Sequence, residues 1–210
     1  MLVSHTKKFI FIHNYKVAGT SIREVLGKYR LSPTQRLQQK LGWKNRNHQK
    51  TSDNHQTAQQ IQERLPEKVF NSYYKFGFVR DPWDWQASLY KYALRNKHHK
   101  QHQLISSMAS FEEYLLWRVQ EDFRLQKAFF YDKRDKCLVD FVGRYEQLSE
   151  DFGKICKAIG IKEQLPHRNQ SQQQQSYLDL YDERTLKLVN EYYAEDIHTF
   201  DYEFPTLAKN

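Results

Sequence analysis

Two short segments hold residue types whose spacing suits anion chemistry. The first, Lys16-Val17-Ala18-Gly19-Thr20-Ser21, stands where a short apolar run gives way to a helical pattern. A loop at such a junction presents unpaired backbone N–H groups at the positive end of a helix dipole. Gly19 lets a ligand approach the backbone, Thr20 and Ser21 add hydroxyl donors, and Lys16 adds a point charge. Such a loop can bind phosphate or sulfate. It is not the common nucleotide P-loop sequence, because the lysine precedes the glycine and no Gly-Lys-Ser/Thr closes it. A plain strand-to-helix turn explains the same spacing equally well.

The second segment is Val79-Arg80-Asp81-Pro82-Trp83-Asp84-Trp85-Gln86-Ala87-Ser88. Arg80 closes a strand-like run, where a guanidinium can clamp a phosphate bidentately. Ser88 falls about two turns into the next helix, on a side that can face the same ligand. Taken alone, this spacing favours a simpler account, with Arg80 paired to a local aspartate and Ser88 exposed. His98, His99 and His102 sit together without a carboxylate or cysteine, so a solvated loop describes them better than a metal site.

The elements that must position these residues are legible in outline. Phe9 to His13 is a continuous apolar run of the kind a buried parallel strand shows. Ile22, Val25, Leu26 and Tyr29 then recur at helical spacing. Leu31 to Asn54 is polar, Gln-rich and basic, an excursion from the core broken at Pro33. A helix is predicted from near Asn54 to Leu65, with Ala58, Ile61 and Leu65 inward and Pro66 ending it. Tyr73 to Val79 reads as a second buried strand. Asp81-Pro82 then supplies an N-cap and a first-turn proline, and Trp85, Leu89, Tyr92 and Ala93 form the inward face of the helix. Phe111 to Val119 reads as helix, Leu138 to Gly143 as a third strand and Leu148 to Ile159 as its helix. Gln172 to Gln175 reads as a loop, and Asp182 caps a final helix reaching about Phe200. Strands alternating with helices predict an α/β fold, a parallel sheet flanked by helices with ligands at the strands' carboxyl ends. A single domain over 1–210, with a polar basic insertion at about 31–54, accounts for the whole chain.

Composition narrows the class. The chain has 210 residues, 39% of them hydrophobic, and a mean hydropathy of −0.89. No apolar run approaches the roughly 18 residues a membrane span needs, and Met1 to Lys8 has no signal-peptide core. Two cysteines, Cys137 and Cys156, are too few for a disulfide scaffold or a thiolate metal site and suit a reducing, cytoplasmic setting. Thirty-three basic against 25 acidic side chains give a net charge of +8, which suggests an anionic partner. Between Val25 and Ser52 there is no acid, while Lys28, Arg30, Arg36, Lys40, Lys44, Arg46 and Lys50 all fall there. A solvated basic loop explains that run, as does a surface for an acidic group. The oligomeric state is not legible.

Taken together, Phe11-Ile12-His13 leading into Lys16 to Ile22, and Phe76 to Pro82 followed by Ser88-Leu89-Tyr90, resemble the PAPS-dependent sulfotransferases (PAPS being 3′-phosphoadenosine 5′-phosphosulfate). The closer resemblance is to the carbohydrate-type group with Golgi and bacterial members. It continues through Phe141 to Glu146, Asn169 to Ser171 and Tyr193 to Phe204, in family order. It implies a P-loop-like α/β fold and PAPS as co-substrate. It also implies that Lys16, Ala18, Gly19, Thr20 and Ser21 form the 5′-phosphosulfate loop, and that Arg80 and Ser88 hold the 3′-phosphate. Tyr145 resembles the aromatic residue set against the adenine, and His55 the histidine used near the acceptor. On this reading Lys16 and His55 are the catalytic pair. Sulfuryl transfer goes to a hydroxyl or amine of a carbohydrate or small molecule, with an acidic glycan in view of the basic stretch. The mechanism needs no metal, because lysine and the helix terminus supply the positive charge. The chain departs from many relatives at Tyr15, where they have proline, and at Trp85, where they have arginine. The second departure is expected to remove a polar contact and reshape the acceptor side. A P-loop-type kinase and a non-catalytic basic nucleotide- or nucleic-acid-binding domain are the alternatives, although no magnesium-holding carboxylates or nucleic-acid motif are found.

Overall fold

A computed structural model describes residues 1–30, 55–166 and 177–207. The expectations for 31–54 and for Gln172 to Gln175 lie outside the described residues. The chain divides into two units, Met1–Val79 with Ala128–Arg168 and Arg80–Lys127 with Asn169–Asn210.

The strands of the first unit are β1 (Leu2–Ser4), β2 (Phe9–Phe11), β3 (Tyr74–Val79) and β4 (Phe141–Arg144). They form one sheet in the order β1-β2-β3-β4. β2, β3 and β4 are parallel, with Phe11 opposite Phe76 and Phe78 opposite Gly143. β2 buries all three of its residues, as a strand covered on both faces must. The edge strand β1 pairs antiparallel with β2. It was not anticipated, because three residues are too short to show periodicity. β4 starts at Phe141 rather than Leu138; Asp140 leads into it by exchanging backbone and side-chain hydrogen bonds with Lys75.

Helix α1 (Gly19–Leu26) follows β2 and buries Ile22 and Leu26. α2 (Ala58–Arg64) buries Ala58 and Ile61 and ends before Pro66 as expected. It starts at Ala58 rather than Asn54, because Thr57 and Gln60 form a reciprocal capping box there. α3 (Glu67–Ser72) leads into β3. Phe9, Phe11, Val17, Phe76, Phe78, Phe152 and Ile155 belong to the core of this unit.

In the second unit, Asp81 caps α4 (Pro82–Arg95) by accepting the N–H groups of Trp83 and Asp84. α5 (His102–Ser106) and α6 (Phe111–Glu121) follow. α7 (Leu148–Ala158) belongs to the first unit and packs beside β4, whose Arg144 N–H donates to Asp151 at 2.8 Å. The expected final helix is two, α8 (Glu183–Tyr192) and α9 (Ala194–Thr199). They part at Tyr193, whose ψ of 17° ends α8 and opens α9. Tyr193 is fully buried there, edge-on to Trp85.

Candidate functional site

The Lys16–Ser21 loop lies at the carboxyl end of β2. Lys16 and Ala18 both adopt left-handed backbone, at φ 56° and 59°, a conformation that costs an L-residue roughly 1–2 kcal/mol. Ala18 is the N-cap of α1 and offers no side-chain cap, and the first turn carries no acid. The first backbone bond of the helix runs from Ile22 N–H to Ala18 C=O, at 3.1 Å. The preceding helical N–H groups thus head a positive helix terminus that the N-cap's own side chain leaves uncapped. Lys16 and Ser21 are half-buried and Thr20 is exposed.

Gly19 has a role inside the protein that the sequence reading assigned to ligand approach. A β-carbon there would lie 1.8 Å from His13 Nε2. His13 is itself held, stacked on Phe11 at 5.6 Å and lying 4.4 Å from the His55 ring. His55, 42 residues on, thus packs beside the loop entry. Its ring also stacks on Tyr15 at 3.9 Å, 17° from parallel. His55 Nδ1 lies 3.0 Å from the His13 carbonyl oxygen. A carbonyl only accepts, so Nδ1 carries a proton, and a neutral ring held this way would keep its lone pair on Nε2. That is the tautomer a general base needs. The Tyr15 ring thus backs His55.

Gly19→Ala is expected to lower stability by about 1–3 kcal/mol through overpacking, and to displace His13 and His55. Gly27→Ala is the control. A β-carbon there meets nothing within 4 Å and the backbone is right-handed helical, so stability should rise by about 0.4–1 kcal/mol. Thermal melts of the two variants check both signs.

Asn14, which the sequence reading passed over, ties this loop to the sheet. Fully buried, it donates from Nδ2 to Phe78 C=O at 3.4 Å and accepts the Tyr15 N–H at 2.7 Å. A polar residue at the end of an apolar strand was the available signal, since a buried amide must be bonded. Tyr145 opens a 3-10 turn directly after β4 and is half-buried. Because β2 and β4 both run parallel to β3, Tyr145 and the loop occupy the same carboxyl edge of one sheet.

In the second unit, Arg80 and Ser88 meet. Arg80 Nη1 donates to Ser88 Oγ at 3.0 Å, while Nε and Nη2 both donate to Asp84, at 2.7 and 2.8 Å. The local aspartate pairing expected from spacing alone is present, and so is the Ser88 contact. Asp84 fixes the plane of the guanidinium, and Ser88, which accepts from Arg80, keeps its own hydroxyl proton to donate to an anion. Trp85 is fully buried against Tyr193, with the Arg118 guanidinium 6.0 Å from its ring. It is a core residue of this unit.

Among the described residues no cluster of three or more His, Cys, Asp and Glu has metal-holding geometry. His102 Nδ1 donates to Ala93 C=O at 2.8 Å, and His99 lies edge-on to Tyr92. No helix among the described residues is long and apolar enough to cross a membrane. The profile of the sulfotransferase family matches residues 1–203. An uncharacterised protein of Archaeoglobus fulgidus is 34% identical over 116 residues, covering 53% of this chain and 88% of that protein.

Proposed function

The chain belongs to the sulfotransferase family, and from that premise we propose that it moves a sulfuryl group from PAPS to a hydroxyl or amine of a carbohydrate or small molecule. Adenosine 3′,5′-bisphosphate is the second product. The observation that carries this reading is the α1 terminus, whose N-cap Ala18 makes no side-chain cap bond and whose first turn holds no acid, with Lys16 two residues before that N-cap. An anion of the 5′-phosphosulfate type fits these donors, and the Arg80–Ser88 pair fits a 3′-phosphate. Lys16, Ala18, Gly19, Thr20 and Ser21 are assigned to the former, and Tyr145 to the adenine. PAPS supplies the activated sulfuryl group, and the chain stabilises the departing phosphate's charge and accepts the acceptor's proton. Lys16 and the loop N–H groups serve the first task, and His55, through Nε2, serves the second.

Residues 1–210 are read as one sulfotransferase domain, the basic 31–54 segment flanking an acceptor for which an acidic glycan is one candidate. Both cysteines are free thiols, Cys137 exposed and Cys156 buried, which fits a reducing cytoplasm. The test is transfer of label from sulfuryl-labelled PAPS to a panel of hydroxyl and amine acceptors. Adenosine 3′,5′-bisphosphate should raise the melting temperature. Stronger stabilisation by ATP-magnesium or by oligonucleotides would point to the kinase or nucleic-acid readings instead.

Arg80→Ala is expected to weaken adenosine 3′,5′-bisphosphate by about 2–5 kcal/mol, as for a buried charged contact that loses one partner. AMP, which lacks the 3′-phosphate, should bind almost as before. Calorimetry showing equal weakening of both would make Arg80 a fold residue.

A further inference from the structure

Gln126 is fully buried, without a charge of its own, and lies 46 residues from the arginine it holds. Its side-chain amide grips both backbone groups of Arg80. Oε1 accepts the Arg80 N–H at 3.0 Å, and Nε2 donates to the Arg80 C=O at 2.7 Å. The grip is itself anchored. Asp196, also fully buried, accepts the backbone N–H of Gln126 on Oδ2 at 2.7 Å and that of Lys127 on Oδ1 at 2.8 Å. The chain of bonds thus runs from α9 through Gln126 to the residue that opens the Arg80–Ser88 pair.

A strand that simply runs into a helix does not need this. Asp81 already caps α4, and Asp84 already orients the guanidinium from the side-chain end. Gln126 adds the backbone end. With both ends fixed, the guanidinium has little freedom to follow a ligand that lacks the group it reads, and that rigidity is what discrimination requires.

We propose that Gln126, anchored by Asp196, is a positioning residue that sets the nucleotide's 3′-phosphate discrimination by holding the Arg80 backbone. The inference rests on the assignment of Arg80 and Ser88 to the 3′-phosphate. Burial pushes the Asp196 carboxyl up to about 7, against the two backbone N–H groups and Lys127, with Glu195 adding to the rise. Binding is therefore best compared at pH 8, where the anchor is ionised.

The experiment measures calorimetric affinities for adenosine 3′,5′-bisphosphate and for AMP in the parent, Gln126→Ala, Gln126→Glu and Arg80→Ala. Gln126→Ala should lower the preference for the 3′-phosphorylated ligand about tenfold with AMP affinity unchanged. Gln126→Glu keeps the acceptor oxygen and loses the donor, so it should retain an intermediate preference, and it serves alone if the alanine variant fails to fold. An undiminished preference in the glutamate variant, or equal weakening of both ligands, overturns the positioning role. If Arg80→Ala loses the preference while the Gln126 variants keep it, the proposal fails and the 3′-phosphate assignment stands. Equal binding of the two nucleotides by the parent overturns both.

Discussion

Lys16→Ala is expected to cut turnover at saturating PAPS by about 10²–10³-fold, the cost typical of removing one donor from a site of developing charge. Affinity for PAPS should fall far less. The asymmetry follows from when the charge appears. On the proposed reading, the ground-state sulfate and phosphate charges would be spread over several oxygens that the α1 N–H groups could also contact, whereas negative charge would grow on one bridging oxygen as the bond to sulfur breaks. A group that interacts mainly with that growing charge raises kcat rather than lowering KM. The left-handed backbone at Lys16 and Ala18 would hold the ammonium in place before reaction, at a conformational cost the rest of the loop must offset. Steady-state kinetics with saturating acceptor check this result. Near-normal kcat in Lys16→Ala would remove Lys16 from the catalytic assignment.

His55→Asn is expected to lower the transfer rate by about 10²–10⁴-fold while adenosine 3′,5′-bisphosphate still binds. Asparagine is the informative replacement. Its Nδ2 can donate to the His13 carbonyl as Nδ1 of the imidazole does at 3.0 Å, so the structural bond has a substitute and the basic nitrogen does not. The acidic limb of the pH–rate profile should vanish too, because a base at His55 would be lost to the parent as the imidazole takes a second proton. The ring also backs onto Tyr15 and His13, so some loss of thermal stability is expected. A variant that melts far below the parent, or binds the bisphosphate poorly, would make His55 a packing residue and leave the base to be found elsewhere.

The local features of this protein were legible in its sequence because neighbouring residues determine them. An apolar run followed by Lys16 to Ser21 and a helical stripe becomes β2, loop and α1, and Asp81-Pro82 opens α4 as an Asp cap with a first-turn proline must. Arg80, Asp84 and Ser88 are four and eight residues apart on one helical approach, so spacing alone placed them within reach of one another. That spacing offered two accounts of Arg80, a local aspartate pair with Ser88 exposed or a phosphate clamp shared with Ser88; the fold makes the Asp84 pair and also brings the guanidinium to Ser88 Oγ.

What lay beyond the sequence involves partners far apart in the chain. That Gly19 must be glycine because of His13, that His55 packs beside Tyr15, and that Gln126 grips Arg80 are outcomes of the fold. None leaves a periodic trace, since periodicity records which face is buried and not what it is buried against. Short elements escaped for a related reason: β1 is fixed by pairing with β2, not by its own three residues. The break at Tyr193 escaped because the apolar pattern continues across it, while burying that ring beside Trp85 fixes where α8 stops. Residue types and short spacings thus determined what chemistry this chain can attempt. Only the tertiary structure decided which side chains hold the reactive ones still, because long-range contacts form where burial and hydrogen-bond satisfaction, rather than chain proximity, bring groups together.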